Sequence, residues 1–163
     1  MAGQRRQIYR SAARIQGCRM SLIPTDKYKE ILAVLPILCV DIVIKNPKGE
    51  YMLLKRSNEP KKDQWWVIGG RVLKGETLEQ AVVRKVKQET NIEVKSMRPI
   101  GYYELVQGVN PFGLPFEYHT VSVVFETVLS SDQKIMLDDQ SSEYKFAKEL
   151  PSDFDMVLYE PLK

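Results

Sequence analysis

Histidine occurs once in this chain and cysteine only twice. That scarcity removes several kinds of chemistry at the outset. A structural zinc centre takes about four Cys or His ligands, and Cys18, Cys39 and His119 do not reach that number. One cysteine stands in a basic leader and the other inside an apolar run, so they do not form a disulfide framework; a reducing compartment such as the cytoplasm fits them. Long apolar runs are missing as well. The best candidate, "ILAVLPILCVDIVI", is broken by Pro36 and Asp41 and falls short of the roughly 20 residues a membrane span needs. There is no internal repeat and no low-complexity segment. What remains is 163 residues with 44% hydrophobic and 28% charged content, enough for one soluble domain with a core of its own.

Net charge is +3, but it is unevenly placed. Residues 1–19 hold Arg5, Arg6, Arg10, Arg14 and Arg19 and no acid; setting those five aside leaves nineteen basic against twenty-one acidic groups, or −2. A mildly acidic body argues against a nucleic-acid partner. The leader is Arg-rich and acid-free like a mitochondrial presequence, and equally like an extension ahead of a start at Met20. The expected division is a basic N-terminal extension over 1–19 and a single domain over 20–163.

From Thr25, a candidate helix cap, Tyr28, Ile31, Leu32 and Leu35 follow one helical face until Pro36. "ILCVDIVI" (37–44) reads as a buried strand, "NPKGE" (46–50) as a turn with Gly49 at positive φ, and "YMLLKR" (51–56) as the returning strand. "WWVI" reads as a short strand before Gly69 and Gly70, where backbone can approach a ligand. The spacing predicts a helix over 77–89, with Leu78, Ala81, Val82 and Val86 toward a sheet and Arg84, Lys85, Gln88 and Glu89 on the other side. Strands are expected over 98–106 and 117–129, with the loop "QGVNPFGLP" between them, then a strand in "EYKFA" and a short helix in "SDFDMVLYE". Strands and helices in this order predict an α/β sandwich with a largely antiparallel or mixed sheet.

Two acids, Glu76 and Glu89, bracket the second helix, and a glycine pair precedes it. Oxygen donors of this kind, with a backbone carbonyl, are what a hard divalent cation requires against a diphosphate. The run Gly70, Glu76, Arg84, Val86, Glu89, Ile92 resembles the Nudix box, with Lys85, Gln88 and Asn91 standing where Glu, Glu and Gly are usual. "GGRVLKGETLE", the flanking "PILCVDIVIKNPKGEYMLLKRSNEP" and the later "DDQSSEYKF" are similar to the GDP-mannose mannosyl hydrolase branch of that family. The resemblance implies a Nudix-type α/β/α sandwich with a mixed central sheet. It also implies Mg²⁺ (or Mn²⁺) held by Glu89, the Gly69 carbonyl and Gln140, and substrate contacts from Asp41, Arg56, Arg71 and Arg84. A homodimer is implied too, and a reaction in which water attacks the anomeric carbon of a nucleoside diphosphate sugar.

Ser141 stands where that branch has a histidine base, and an unassisted hydroxyl does not accept a proton at neutral pH. Glu143 is a candidate replacement, the alternative being no fixed side-chain base. Loss of the histidine opens two other readings: attack at phosphorus, as in a pyrophosphatase, or a nucleotide-binding module without turnover.

Each candidate also has a structural reading. Glu89 and Lys85 are spaced as an i, i+4 ion pair, and Glu76 can complement the helix dipole. Asp41 and Arg56 can pair within the hairpin. Arg71 and Arg84 carry the forked donors that suit phosphate. His119, the obvious substitute base, alternates with Val121, Val123 and Phe125, as a packed, hydrogen-bonded histidine would. One of Trp65 and Trp66 is expected in the core, and the other, with Phe112 and Phe116, is a candidate to stack on a base.

Overall fold

The computed structural model describes residues 24–58, 61–107, 113–130, 133–154 and 156–158. The basic extension and Phe112 lie outside the described residues. In chain order the elements are α1 (Thr25–Leu32), β1 (Ile37–Lys45), β2 (Tyr51–Arg56), β3 (Trp65–Trp66), β4 (Ile68–Arg71), α2 (Leu78–Thr90), β5 (Arg98–Gln107), β6 (Tyr118–Val128), β7 (Ser141–Ala147) and β8 (Val157–Leu158). None of the helices among the described residues is long and apolar enough to cross a membrane.

β1 organises the sheet. Its apolar run is buried from Cys39 to Ile44, as a central strand covered on both faces must be. It runs parallel to β6, from Ile37 opposite Thr120 to Lys45 opposite Val128, and antiparallel to β4 from Cys39 to Ile42. The sheet order is β3-β2-β1-β6-β5-β8, with β4 on β1 and β7 on β2. One parallel pair among antiparallel ones makes the sheet mixed.

Alternation along β1 sorts its side chains between two layers. Val40, Ile42 and Ile44, with Phe125, pack on Ala81, Val82 and Val86 of α2. On the opposite face Val43 joins Val124, Tyr103 and Phe154, while Ile37 and Cys39 meet Tyr28 and Leu32 of α1. With a helix on each face, the fold is the α/β/α sandwich.

α2 is well defined at both ends. The Thr77 hydroxyl accepts from the Gln80 N–H while the Gln80 side chain accepts from the Thr77 N–H, a reciprocal cap. Its C-terminal cap, Asn91, is left-handed at φ 59°. Asparagine tolerates that conformation better than most residues, which accounts for its presence where a glycine is usual. Gly49 takes the expected positive φ of 82° in the β1–β2 turn.

Four expectations are corrected. Thr25 is the first helical residue of α1, and Pro24 holds the cap position. Because α1 ends at Leu32 and the chain then turns back on the Lys29 and Ile31 carbonyls, Leu35 leaves the helical face and is exposed. "WWVI" is not one strand: Trp66 pairs with Leu54 of β2 and Ile68 with Ile42 of β1, so the chain changes partner at Val67. The helix expected in "SDFDMVLYE" is absent among the described residues. There Phe154 turns in against Trp66 and Tyr103, with ring centroids 5.4 and 5.2 Å away, and Val157–Leu158 pair with Tyr102 and Gly101. Gly101 allows that approach, because a Cβ there would lie 2.2 Å from the Val157 carbonyl oxygen.

Candidate active site

A cleft of about 920 Å³ opens where β1, β4, β6 and the C-terminal half of α2 converge. Among the described residues six basic side chains line it, namely Arg56, Lys61, Lys62, Arg71, Arg84 and Lys85, with the acid Asp41; of these, Lys61 is paired with Asp153, Arg84 with Glu76 and Lys85 with Glu89. A smaller hollow of about 320 Å³ sits between Val43, Tyr51, Arg98 and Met156. Its charges are spent on each other, since Glu126 accepts from Lys45 at 2.5 Å and from Arg98 at 2.7 Å. The large cleft combines a basic lining with the backbone of a glycine pair.

Its inner corner is Gly69–Gly70 on β4. A Cβ on Gly69 would stand 2.0 Å from Asp41 Oδ1, and one on Gly70 would stand 2.7 Å from Lys85 Cε. The two glycines therefore let a carboxylate and a lysine side chain lie directly on the strand. Asp41 is buried, and its Oδ2 accepts from the Tyr103 hydroxyl at 3.0 Å. Burial raises its proton affinity above that of an ordinary aspartate, against the opposing pull of Ser122, Tyr103 and the charges of Arg56 and Lys85. Arg56, the expected partner, pulls on Asp41 through its charge, and the Ser122 and Tyr103 side chains bond it. Cys39, beside it, is pushed up to about 12 by burial and by the Asp41 charge, so the thiol stays protonated and is not a nucleophile.

Lys85 and Glu89 do not share the outer side of α2 with Arg84 and Gln88. They follow Ala81 at four-residue steps and are buried beside the Val82–Val86 stripe. The Lys85 ammonium lies 2.5 Å from Glu89 Oε1. Burial raises the Glu89 carboxyl above its ordinary value, although Lys85 pulls it down. Lys85 lines the cleft and Glu89 does not.

Arg84, one residue earlier, has a different setting. Its Nε donates to Glu76 Oε2 at 2.9 Å, its Nη2 to Glu76 Oε1 at 2.6 Å and to the Arg71 carbonyl at 2.9 Å. Glu76 Oε1 also accepts from the Leu73 N–H at 2.6 Å. Burial raises the Glu76 carboxyl, but the Arg84 contact and the Leu73 N–H outweigh it and hold the carboxyl below its ordinary value. Arg84 thus fastens the 71–76 loop to α2, with its edge on the cleft. Arg71 lies over the Tyr28 ring at 4.3 Å and carries its guanidinium at the cleft wall.

The donor set was compared with what a divalent ion needs. Mg²⁺ takes oxygen ligands in a near-octahedral shell. Among the described residues no three His, Cys, Asp or Glu side chains are grouped to hold a metal. Glu89 faces an ammonium, and the Gln140 amide donates to Asp138 Oδ2 at 2.8 Å. At Glu89 the set does not fit a divalent ion as it stands, because the Lys85 ammonium already meets its Oε1, whereas a Gln140 amide that donates through Nε2 keeps its Oε1 as a donor oxygen.

The remaining candidates divide clearly. Gln140 reaches the cleft, tied across it by the Ser57 N–H donating to its carbonyl at 2.9 Å. Glu143 does not: it is exposed on β7 and pairs with Lys55 at 2.9 Å. His119 points to the face opposite the cleft-lining Tyr118, Thr120 and Ser122, and its buried Nε2 has no hydrogen-bond partner among the described residues. The expected hydrogen-bonded histidine is thus packed but unpartnered at that atom. Trp66 belongs to the core and touches the cleft, Trp65 lies under Lys145 at 4.3 Å, and Phe116 packs in the α1 cluster. Sequence reasoning missed Tyr103 and Asp138. Thr120 and Ser122 did leave a signal, as polar residues two apart in an apolar strand.

Comparison with known proteins is consistent with this architecture. The family model described as NUDIX domain matches residues 35–153. The low-salt glycan biosynthesis protein Agl8 of Haloferax volcanii is 32% identical over 145 residues, covering 89% of this chain and 86% of that protein. An ADP-ribose pyrophosphatase of Methanocaldococcus jannaschii is 33% identical over 127 residues, covering 77% and 71%. Among solved structures, a MutT protein from Methanosarcina mazei Go1 superposes with a TM-score of 0.58 at 28% identity, covering 71% of this chain and 79% of that one.

Proposed function

This chain belongs to the NUDIX family, and from that premise we propose that it hydrolyses a nucleoside diphosphate sugar, releasing the nucleoside diphosphate and the free sugar. The observation that carries this reading is the cleft itself, where Arg56, Lys62 and Arg71 stand with the buried Asp41 carboxylate around a glycine corner. Such a field stabilises a diphosphate as it departs with its extra charge.

In this reading water attacks the anomeric carbon, the bond from that carbon to the diphosphate oxygen breaks, and the diphosphate leaves as an anion held by Arg56 and Arg71. Asp41 accepts the proton from water. Among the described residues it is the acid on the cleft wall, and the Tyr103 hydroxyl orients it. Ser141 is buried at the start of β7 and has no part in that step. The GDP-mannose-like specificity rests on the sequence resemblance and on the likeness to a glycan biosynthesis protein.

The family generally uses divalent metals such as Mg²⁺ or Mn²⁺. That chemistry would supply charge neutralisation at the phosphates, to which the basic lining of the cleft adds.

A second reading moves the attack to phosphorus and yields a nucleoside monophosphate. Similarity to an ADP-ribose pyrophosphatase favours it, and the replacement of two acids by Lys85 and Gln88 weighs against it. Hydrolysis of GDP-mannose, ADP-ribose and related nucleotide sugars in ¹⁸O-labelled water separates the two. Label in the free sugar supports carbon attack, label in a phosphate product supports the pyrophosphatase, and absence of product from every substrate points to a binding module.

A further inference from the structure

We infer that the Lys85 ammonium takes the place of a divalent cation in this chain, so that the cleft binds the diphosphate of its ligand without a metal ion. The inference rests on the reading of the cleft as a nucleoside diphosphate site and goes beyond it by naming the cation.

Three observations converge. Lys85 sits one helical turn before Glu89, and its ammonium is 2.5 Å from Glu89 Oε1 with both side chains buried. Its methylenes lie on Gly70, where a Cβ would meet Cε at 2.7 Å, Cδ at 2.9 Å and Nζ at 3.3 Å. The ammonium is therefore held at the corner where backbone is most accessible. Lys85 lines the cleft while Glu89 does not, so an anion entering the cleft meets the ammonium first.

A lysine suits this position physically. Its ammonium is a compact charge with three donors; one serves Glu89, and the geometry permits others to meet phosphate oxygens. A divalent ion reaching Glu89 from the cleft would have to displace that ammonium against like-charge repulsion, which is strong at a few ångströms in a buried setting. Lys85 neutralises Glu89 and keeps the corner from repelling phosphate, a task that falls to the metal where an acid stands at the same place.

The test uses the full chain and two readouts besides turnover. GDP and ADP are titrated calorimetrically in EDTA and again in excess Mg²⁺, and Mn²⁺ alone is titrated by electron paramagnetic resonance. The expected result is a nucleotide Kd equal in the two buffers within about twofold, and no Mn²⁺ bound by the wild-type protein. Lys85→Met is expected to weaken GDP binding about tenfold or more, the usual size for losing a charged hydrogen bond. Lys85→Glu is expected to gain Mn²⁺ binding. Nucleotide binding that appears only with Mg²⁺, or Mn²⁺ bound by the wild type and lost in Glu89→Gln, overturns the inference and leaves the proposed function standing. No nucleotide binding in either buffer overturns both. The wild-type titrations decide the matter even where a variant does not fold.

Discussion

α2 carries two ion pairs that begin at neighbouring residues and are built in opposite ways. Arg84 meets Glu76 through both carboxylate oxygens and also holds the Arg71 carbonyl. Lys85 meets Glu89 through one contact and turns toward the cleft. In the first pair nearly every donor and acceptor is matched within the protein, so its effect is to hold a loop in shape. In the second, matching is incomplete on the side of the cleft, so a ligand can finish it. Stability and binding are thus assigned to adjacent residues by the helical angle between them.

The contrast can be broken most forcefully at Arg84. Arg84→Met leaves Glu76 with the Leu73 N–H as its remaining partner, and we expect urea unfolding to show a loss of about 2–3 kcal/mol, somewhat below the range for fully buried pairs. Arg84→Lys should recover less than half of that, because an ammonium does not reproduce the fork. A next effect separates the pairs. Replacing the second pair by Lys85→Met with Glu89→Gln should keep stability within about 1 kcal/mol of wild type. The same double variant should bind GDP about tenfold more weakly in a calorimetric titration. Loss of stability with unchanged binding would reverse the roles assigned here.

Acid should also move the pairs in opposite directions. The Glu76 carboxyl is held below its ordinary value in the fold, so its contribution is present above the ordinary glutamate range and is lost as pH falls through the lowered value. The Glu89 carboxyl is raised; its contribution is present below the ordinary range and is lost as pH rises through the raised value. Urea curves over a pH series should therefore show the penalty of Glu76→Gln shrinking on acidification. Over the window above the ordinary value, wild type should lose stability relative to Glu89→Gln as pH rises. The smallest effect is expected at the helix end, where Asn91→Gly should change stability by less than about 0.5 kcal/mol, glycine and asparagine both accepting the left-handed cap.

Much of this was legible in the sequence. The apolar run of β1, the β1–β2 turn at Gly49 and the stripe of α2 follow from composition and period, and the spacing from Gly70 to Glu89 located the glycine corner and the helix beside it. Two kinds of information were not local. Whether Lys85 and Glu89 face water or the core depends on how wide a stripe α2 buries, which the sheet decides. Tyr103 reaches Asp41 across 62 positions of sequence, through a strand pairing that no short pattern announces. The C-terminal segment misled for a related reason: the helix expected in "SDFDMVLYE" gave way to long-range contacts, with Phe154 packed on Trp66 and Tyr103 and Val157–Leu158 paired with β5.

The most direct measurement is hydrogen–deuterium exchange of the full chain with and without saturating GDP. The account predicts slower exchange at residues 69–71 and over the last turns of α2, with no change at the Lys45–Glu126–Arg98 hollow. Protection at that hollow, with 69–71 and α2 unaffected, would contradict the assignment of the cationic cleft as the nucleotide site.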